Sequence, residues 1–150
     1  MPAATVKPLT ADTAAHISRR CGISTDQNKA AVLRFMEALK SSGDLAVLDK
    51  ICTPEVAQGW RQAMEGFSFS DRHFTVENMI AEDAKVAILW SNTGTHTREY
   101  AGIPATGKRT SGKGSAFFTF DGDGKISAVV SYFDAEDLLR QLGATINPPP

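Results

Sequence analysis

A carboxylate that follows an apolar strand is the part of this sequence best suited to chemistry. The segment VVSYFDAED covers residues 129–137 and comes after a run of strand-forming residues. At the two-residue period of a strand, one face would carry Ile126, Ala128, Val130, Tyr132 and Asp134. A carboxylate at the end of such a face would enter an apolar pocket and suit proton transfer near neutral pH. The pattern therefore makes Asp134 a candidate general acid/base.

The same residue also fits a structural role at the start of a helix. Aspartate is a favoured N-cap. The run Asp134-Ala135-Glu136-Asp137 places acidic side chains in a first helical turn, where the helix dipole favours them. The residue pattern alone leaves both roles of Asp134 open.

A second candidate for catalysis is His96, at the end of a long predicted strand. It lies in phase with Trp90 on that strand and could reach the rim of a cavity. Neither His96 nor the other two histidines, His16 and His73, has a second His or a Cys at ligand spacing. We therefore expect no metal site.

The two cysteines and the glycine-rich segment do not indicate a cofactor. Cys21 and Cys52 are separated by 30 residues, and we expect both to be reduced thiols. The glycines between Gly102 and Gly114 match neither a phosphate-binding loop nor a dinucleotide fingerprint. The run Asp121–Gly124 resembles part of a calcium loop but lacks its flanking carboxylates, so a hairpin turn is preferred. We expect no cofactor.

Aromatic residues on the inner face of a curved sheet would enclose a flat apolar ligand. The candidate substrate-binding residues are Trp60, Trp90, Tyr100, Phe118 and Tyr132. The same residues would also fill a hydrophobic core, and the sequence does not separate the two roles.

Helices are predicted in the first part of the chain. Ser24 to Gln27 form a capping box, and the apolar stripe that follows predicts an amphipathic helix ended by Gly43. Asp44 would cap a short second helix, and Pro54 would begin a third.

Strands are predicted in the second part. They cover residues 73–81, 85–95, 111–120 and 125–134, with a loop over 97–107 and a last helix over 136–142. Helices followed by an antiparallel meander indicate an α+β fold, in which helices cover a curled sheet around a pocket.

Chain length, composition and net charge indicate what kind of protein this is. A chain of 150 residues with 42% apolar and 22% charged residues suits one domain. Its net charge of -1 does not favour nucleic acid, and no apolar run reaches the length of a membrane span. We expect a cytoplasmic protein with an N-terminal arm, mobile or loosely packed, over 1–23, a domain over 24–143 and a tail over 144–150.

Three segments of the sequence resemble one known family. They are NKAAVLRFMEALKSSGDLAVLDKICTPEV, VENMIAEDAKVAILWSNTGTHTREYAGIPATGKR and FDGDGKISAVVSYFDAEDLLRQLG. Over about residues 26–143 they are similar to the SnoaL-like polyketide cyclase family of the NTF2-like superfamily. The most specific parts are Gly94–Thr97, Gly102–Lys108, and Asp134 with Leu138–Gly143.

The resemblance implies a cone-shaped α+β barrel, usually in homodimers, and cofactor-free aldol ring closure with an Asp as acid/base. Asp134 lies where that Asp would fall. The family's pocket His has only His96 as a stand-in here, since the stretch Glu55–Trp60 contains none. A dimer is also indicated by the predicted strand over 85–95, which has apolar residues on both faces.

Two functions follow from these observations. The first is a cofactor-independent cyclase or isomerase of a small apolar, carbonyl-bearing metabolite. Asp134 would take a proton alpha to the carbonyl, and His96 or Tyr132 would stabilise the enolate oxygen. The second is a non-catalytic protein that binds a small molecule or acts as a scaffold. Dehydration and epoxide hydrolysis are further chemistries of the superfamily, and the fold does not select among them.

Overall fold

The computed structural model describes residues 24–145. The helices are α1 (Thr25–Ala38), α2 (Leu48–Ile51, entered through a 3-10 turn at Leu45–Val47), α3 (Pro54–Glu65) and α4 (Ala135–Leu142). The strands are β1 (Phe69–Glu82), β2 (Lys85–His96), β3 (Arg109–Phe120) and β4 (Ile126–Phe133). The predicted arm over 1–23, with His16 and Cys21, and residues 146–150 of the predicted tail lie outside the described residues.

The start of α1 follows its predicted signal, and its end does not. The Ser24 hydroxyl accepts a hydrogen bond from the Gln27 N–H, and Gln27 Oε1 accepts one from the Ser24 N–H, so the capping box is confirmed. The helix ends at Ala38, so the predicted end at Gly43 is wrong. A Cβ on Gly43 would lie 2.4 Å from the Ala38 carbonyl oxygen, so this glycine lets the chain turn back against the helix end.

The next helix starts agree with the sequence. Asp44 Oδ1 accepts a hydrogen bond from the Ala46 N–H at 2.9 Å and caps the turn that leads into α2. Pro54 lies in the first turn of α3, where its missing N–H is not needed.

The four strands within residues 24–145 form one antiparallel sheet in the order β1-β2-β3-β4. The helices cover the inner face of this sheet, and the core lies between the two layers. Fully buried side chains come from both layers: Val32, Phe35, Leu48, Val86, Phe118 and Ile126. The predicted α+β fold is confirmed. Within residues 24–145, no helix is long and apolar enough to cross a membrane.

A β-bulge extends β1 beyond its predicted start at His73. The strand begins at Phe69, and Asp71 and Arg72 together lie opposite Gly94 of β2. Asp71 has a φ of 48°, which breaks the two-residue alternation. The sequence prediction missed this part of the strand because it relied on that alternation.

A second bulge, in β4, overturns the predicted pocket face of that strand. Ile126 pairs with Phe120 and Ala128 pairs with Thr119, so Ser127 is an extra residue in the ladder. Ile126 is buried, but beyond the bulge the alternation is reversed, so Ala128, Val130 and Tyr132 are exposed on the outer face. The inner residues of β4 that line the cavity described below are Val129, Ser131 and Phe133.

Candidate functional site

A cavity of about 500 Å³ lies between the inner face of the sheet and helices α1, α3 and α4. Its size is typical of small-molecule sites. Aromatic side chains form much of its wall: Phe35, Trp60, Phe67, Phe69, Phe74, Trp90, Tyr100, Phe118 and Phe133.

Four of the five aromatic residues predicted to bind substrate line this cavity, namely Trp60, Trp90, Tyr100 and Phe118. The ring of Phe35 holds two of them in place, with its centroid 5.2 Å from that of Trp60 and 5.3 Å from that of Phe118, both edge to face. The fifth, Tyr132, is 65% exposed and lies outside the cavity, because the bulge in β4 turns it to the outer face.

Two glycines of β3 leave room for the inner side chains of β2. Gly114 pairs with Trp90, and a Cβ on it would lie 2.4 Å from Trp90 Cζ2. Gly112 pairs with Asn92, and a Cβ on it would lie 2.6 Å from Asn92 Oδ1. No role for these glycines was predicted from the sequence. Their spacing of two residues within a predicted strand was a usable signal, since strand glycines often mark close approach of another group.

Asp134 caps α4 and also lines the cavity. Its N–H donates to the Lys113 carbonyl at 3.3 Å, which places it at the end of β4. Its Oδ1 accepts a hydrogen bond from the Asp137 N–H at 2.9 Å. Its Oδ2 has no hydrogen-bond partner within residues 24–145. The residue is exposed and borders the cavity, which leaves one carboxylate oxygen for a ligand.

His96 is fully buried and does not line the cavity. Its Nδ1 accepts a hydrogen bond from the Thr106 N–H at 3.2 Å, and its ring centroid lies 5.2 Å from that of Phe69, which is part of the cavity wall. Its Nε2 is buried without a partner among the described residues. The geometry supports a structural role, in which His96 holds the loop between β2 and β3. Its predicted catalytic role stays a prediction.

That loop carries Tyr100 to the cavity. Tyr100 and Ile103 exchange backbone hydrogen bonds across a tight turn, in which Ala101 and Gly102 have φ values of 51° and 79°. The ring centroid of Tyr100 lies 5.6 Å from that of Phe69. Tyr100 therefore closes one side of the aromatic wall.

This arrangement of helices, curved sheet and aromatic cavity agrees with a family match. The model of the SnoaL-like polyketide cyclase family matches residues 30–142. The chain belongs to this family. The comparison with curated proteins finds no match.

Solved structures share the SnoaL-like fold of this chain. TsrD from Streptomyces laurentii is 24% identical with a TM-score of 0.74, covering 82% of this chain and 99% of that one. AclR from Streptomyces galilaeus, a proposed hydroxylase, is 26% identical with a TM-score of 0.71, covering 84% and 87%. A proposed SnoaL-like polyketide cyclase from Jannaschia sp. CCS1 is 20% identical with a TM-score of 0.70, covering 83% and 95%.

The cavity residues of this SnoaL-like chain that were not predicted from its sequence include two with polar side chains, Asn92 and Arg72. Asn92 lines the cavity from β2, and its side chain has no hydrogen-bond partner within residues 24–145. Arg72 lines it from the bulge of β1. Asn92 belongs to the predicted strand over 85–95 and lies two residues after Trp90, on the same face. The alternation of that strand could therefore have identified it. Arg72 fell outside the predicted strand.

Among the residues that the structure describes, the charged ones that line the cavity of this SnoaL-like protein are Arg72 and Asp134. Burial lowers the pKa of the Arg72 guanidinium, although arginine keeps its charge in proteins. Within the described part of the chain, no three His, Cys, Asp or Glu side chains are grouped to hold a metal ion. The site therefore offers one carboxylate, one guanidinium and neutral donors on an aromatic wall.

Proposed function

We propose that this SnoaL-like chain is an enzyme that closes or isomerises a small, largely apolar carbonyl compound without a cofactor. Asp134 is its general acid/base. The observation that carries this proposal is a carboxylate that borders an aromatic cavity and whose Oδ2 has no hydrogen-bond partner within residues 24–145. A polyketide-like molecule with flat rings and ketone groups fits this wall.

The proposed reaction uses Asp134 twice. Its carboxylate removes a proton from the carbon alpha to a carbonyl, and the electron pair of that C–H bond forms an enolate. The enolate carbon attacks a second carbonyl of the same molecule, which forms the new C–C bond and an alkoxide. The protonated Asp134 then returns its proton to the alkoxide, so the enzyme ends the cycle unchanged.

The enolate oxygen needs a hydrogen-bond donor. The donors expected from the sequence, His96 and Tyr132, do not line the cavity. Asn92 and Tyr100 line it, and neither side chain has a hydrogen-bond partner within residues 24–145. We assign the donor role to Asn92, because its side chain leans from β2 over Gly112 of β3, towards the edge of the sheet where Asp134 follows β4.

One observation favours a second function, a non-catalytic protein that binds a small molecule. Asp134 is exposed, and one of its oxygens is engaged in capping α4. A carboxylate used only as a cap would leave the aromatic cavity as a binding site without chemistry.

Proton exchange separates the two functions without knowledge of the natural substrate. The compound 2-tetralone has two fused rings and acidic protons alpha to its carbonyl. In D₂O, the wild-type protein should speed replacement of those protons by deuterium, as followed by NMR. Asp134→Asn should lower the enzymatic rate by roughly 10²–10⁴-fold while tetralone still binds. Equal exchange rates for the two proteins would favour the binding protein.

We also propose a homodimer formed through the outer face of the sheet. Five large apolar residues are exposed on this face, from 38% for Val130 to 70% for Ile80: Ile80, Leu89, Phe117, Val130 and Tyr132. Monomers rarely expose such a contiguous apolar surface. The cytoplasmic location stays a prediction.

A further inference from the structure

The bulge of β1 directs an arginine into the cavity. Asp71 and Arg72 form this bulge opposite Gly94, and Asp71 adopts a left-handed φ of 48° that is costly for a residue with a side chain. Phe69 and Phe74 on either side also line the cavity. Uninterrupted alternation from Phe69 would turn Arg72 outward, so the bulge is what places the guanidinium on the inner face.

Contacts with the cavity wall fix the plane of the guanidinium. The Nε of Arg72 donates to the Leu39 carbonyl at 3.1 Å, and Nη1 donates to the Phe69 carbonyl at 3.0 Å. The Cζ atom lies 5.4 Å from the ring centroid of Phe67. The Nη2 group has no hydrogen-bond partner among residues 24–145, and none of the ion pairs in that part of the chain includes Arg72.

The charge of Arg72 is therefore held in a mostly apolar wall without a counter-ion among the described residues. Two carbonyl oxygens compensate part of it, but carbonyls carry no net charge. A half-buried charge in such surroundings is costly unless an opposite charge approaches it. The lowered pKa of the guanidinium has the same physical cause, which is loss of water around the charge.

We propose that Arg72 binds the carboxylate of an aromatic acid, which makes the ligand of this cavity a polycyclic monoanion. This inference rests on the proposed function, because the ligand occupies the cavity that Asp134 borders. Nη2 and the second N–H of Nη1, whose other N–H donates to Phe69, are left for a ligand, and together they can form an edge whose parallel N–H groups match the two oxygens of a carboxylate. A single guanidinium balances one negative charge, which favours a carboxylate over a doubly charged phosphate.

The positions of the two charged residues set the length of this ligand. Arg72 belongs to β1 and Asp134 follows β4, so they lie at opposite edges of the four-stranded sheet. Three strand spacings correspond to about 14 Å across the sheet, the register adds an offset of about 10 Å along the strands, and curvature shortens the path across the cavity. A ligand with its carboxylate on Arg72 and its acidic C–H at Asp134 needs several fused rings.

A matched pair of probes tests this site by binding alone. Anthracene-2-carboxylate and its methyl ester share the rings and differ in charge, and energy transfer from Trp60 and Trp90 reports their binding. At pH 7 the wild-type protein should bind the carboxylate roughly 10- to 100-fold more tightly than the ester. Arg72→Met should bind both with similar affinity and keep the ester affinity of the wild type. Arg98→Met is the control, since exposed Arg98 does not line the cavity and should leave the ratio unchanged.

The ratio of the wild-type affinities for the two probes is measured without any variant, so the test can be made even if Arg72→Met does not fold. Arg72→Lys, which keeps the charge but not the planar edge, should then give an intermediate ratio. Equal affinities of the wild type for the two probes would overturn the proposal, as would loss of the ratio in Arg98→Met. Binding of neither probe would overturn it together with the aromatic ligand of the proposed function. A carboxylate preference with unchanged proton exchange in Asp134→Asn would keep the Arg72 site and remove only the acid/base role.

Discussion

The Oδ1 of Asp134 accepts a hydrogen bond from the N–H of Asp137 at 2.9 Å, while the same residue lines the cavity. One carboxylate therefore caps α4 through one oxygen, and its other oxygen has no hydrogen-bond partner within residues 24–145. The two roles that the sequence left open coexist in the geometry, and mutations can measure them separately.

Replacement of Asp134 should separate its effect on stability, as a helix cap, from its effect on proton transfer. Asp134→Asn keeps an oxygen that can accept from the Asp137 N–H, so the melting temperature should change little, while proton exchange of 2-tetralone falls. Asp134→Ala removes the cap as well and should lower the free energy of unfolding by about 1 kcal/mol. Asp44→Ala is the matched control, because Asp44 caps a turn outside the cavity. It should cost similar stability and leave exchange unchanged. Wild-type exchange in Asp134→Asn would remove the acid/base role.

The glycines of β3 should differ in their tolerance of a methyl group. In Gly114→Ala the new Cβ would lie 2.2 Å from the Tyr132 carbonyl oxygen and 2.4 Å from the Trp90 ring, so the strand must shift. We expect a loss of about 1–3 kcal/mol in the free energy of unfolding. In Gly112→Ala the contact is with the end of the Asn92 side chain, which can rotate, so stability should fall less and ligand affinity more.

A control for the glycine variants comes from α3. A Cβ on Gly59 would meet nothing within 4 Å, and Gly59 lies inside a helix. Gly59→Ala should therefore raise the free energy of unfolding by about 0.5–1 kcal/mol. Urea denaturation of the three variants checks the order, and a Gly114→Ala protein as stable as wild type would contradict the close packing of β3 on Trp90.

Local signals in the sequence predicted where the helices begin, because a cap depends on residues close in the chain. Ser24 and Gln27 show this directly. The predicted inner face of β4 was wrong, because the bulge at Ser127 depends on contacts with residues that are far away in the sequence. The carbonyl of Ile126 accepts a hydrogen bond from the Thr53 N–H at 3.0 Å, next to an isolated bridge between Cys52 and Ile126. The alternation of residues within β4 does not indicate these contacts.

The site was predicted in part for the same reason. Trp60, Trp90 and Phe118 lie in elements whose alternation or helical period is regular, so their inward direction followed from the pattern. Arg72 was missed because the bulge at Asp71 reverses the alternation of β1. The direction of a side chain beyond a bulge can be predicted only when the pairing with the partner strand is known.

Removal of His96 should test whether it acts in catalysis or in structure. His96→Leu leaves the Thr106 N–H without the acceptor it has at Nδ1, which should cost about 1–3 kcal/mol of unfolding free energy. Proton exchange by the folded variant should stay within a few-fold of wild type, because His96 does not line the cavity. Loss of exchange by about 10²-fold or more in a stably folded His96→Leu protein would support the catalytic role predicted from the sequence.

The apolar outer face of the sheet should control assembly. Wild-type protein at tens of micromolar should sediment as a dimer of the 16.1 kDa chain. Phe117→Glu places a charge in the middle of the exposed apolar face and should shift the equilibrium to monomer. Leu33→Glu is the control, since Leu33 is 51% exposed but belongs to α1. A wild-type monomer at these concentrations, or equal effects of the two variants, would argue against the dimer.

Cys52 should give the stability of the protein a distinct dependence on alkaline pH. The thiol is 3% exposed, and burial raises its pKa from 9.0 to about 11. The nearby charges of Lys125 and Asp49 have smaller, opposite effects on this pKa. Above pH 9 the unfolded chain loses the thiol proton while the folded chain retains it, so ionisation stabilises the unfolded state. The contribution is complete below pH 9 and is lost as the pH rises to 11.

The size of this loss follows from the shift of two pKa units. It corresponds to about 2–3 kcal/mol of unfolding free energy. Lysines and tyrosines also titrate in this range, so the informative quantity is the difference between wild type and Cys52→Ala in urea denaturation at pH 8 and pH 11. Both proteins contain Cys21, so the effect of its titration cancels in the difference between them. Wild type should lose about 2–3 kcal/mol more than Cys52→Ala between the two pH values, because alanine has no proton to release. Parallel losses in the two proteins would mean that the thiolate of Cys52 forms in the folded state as readily as in the unfolded chain, which its burial against the core opposes.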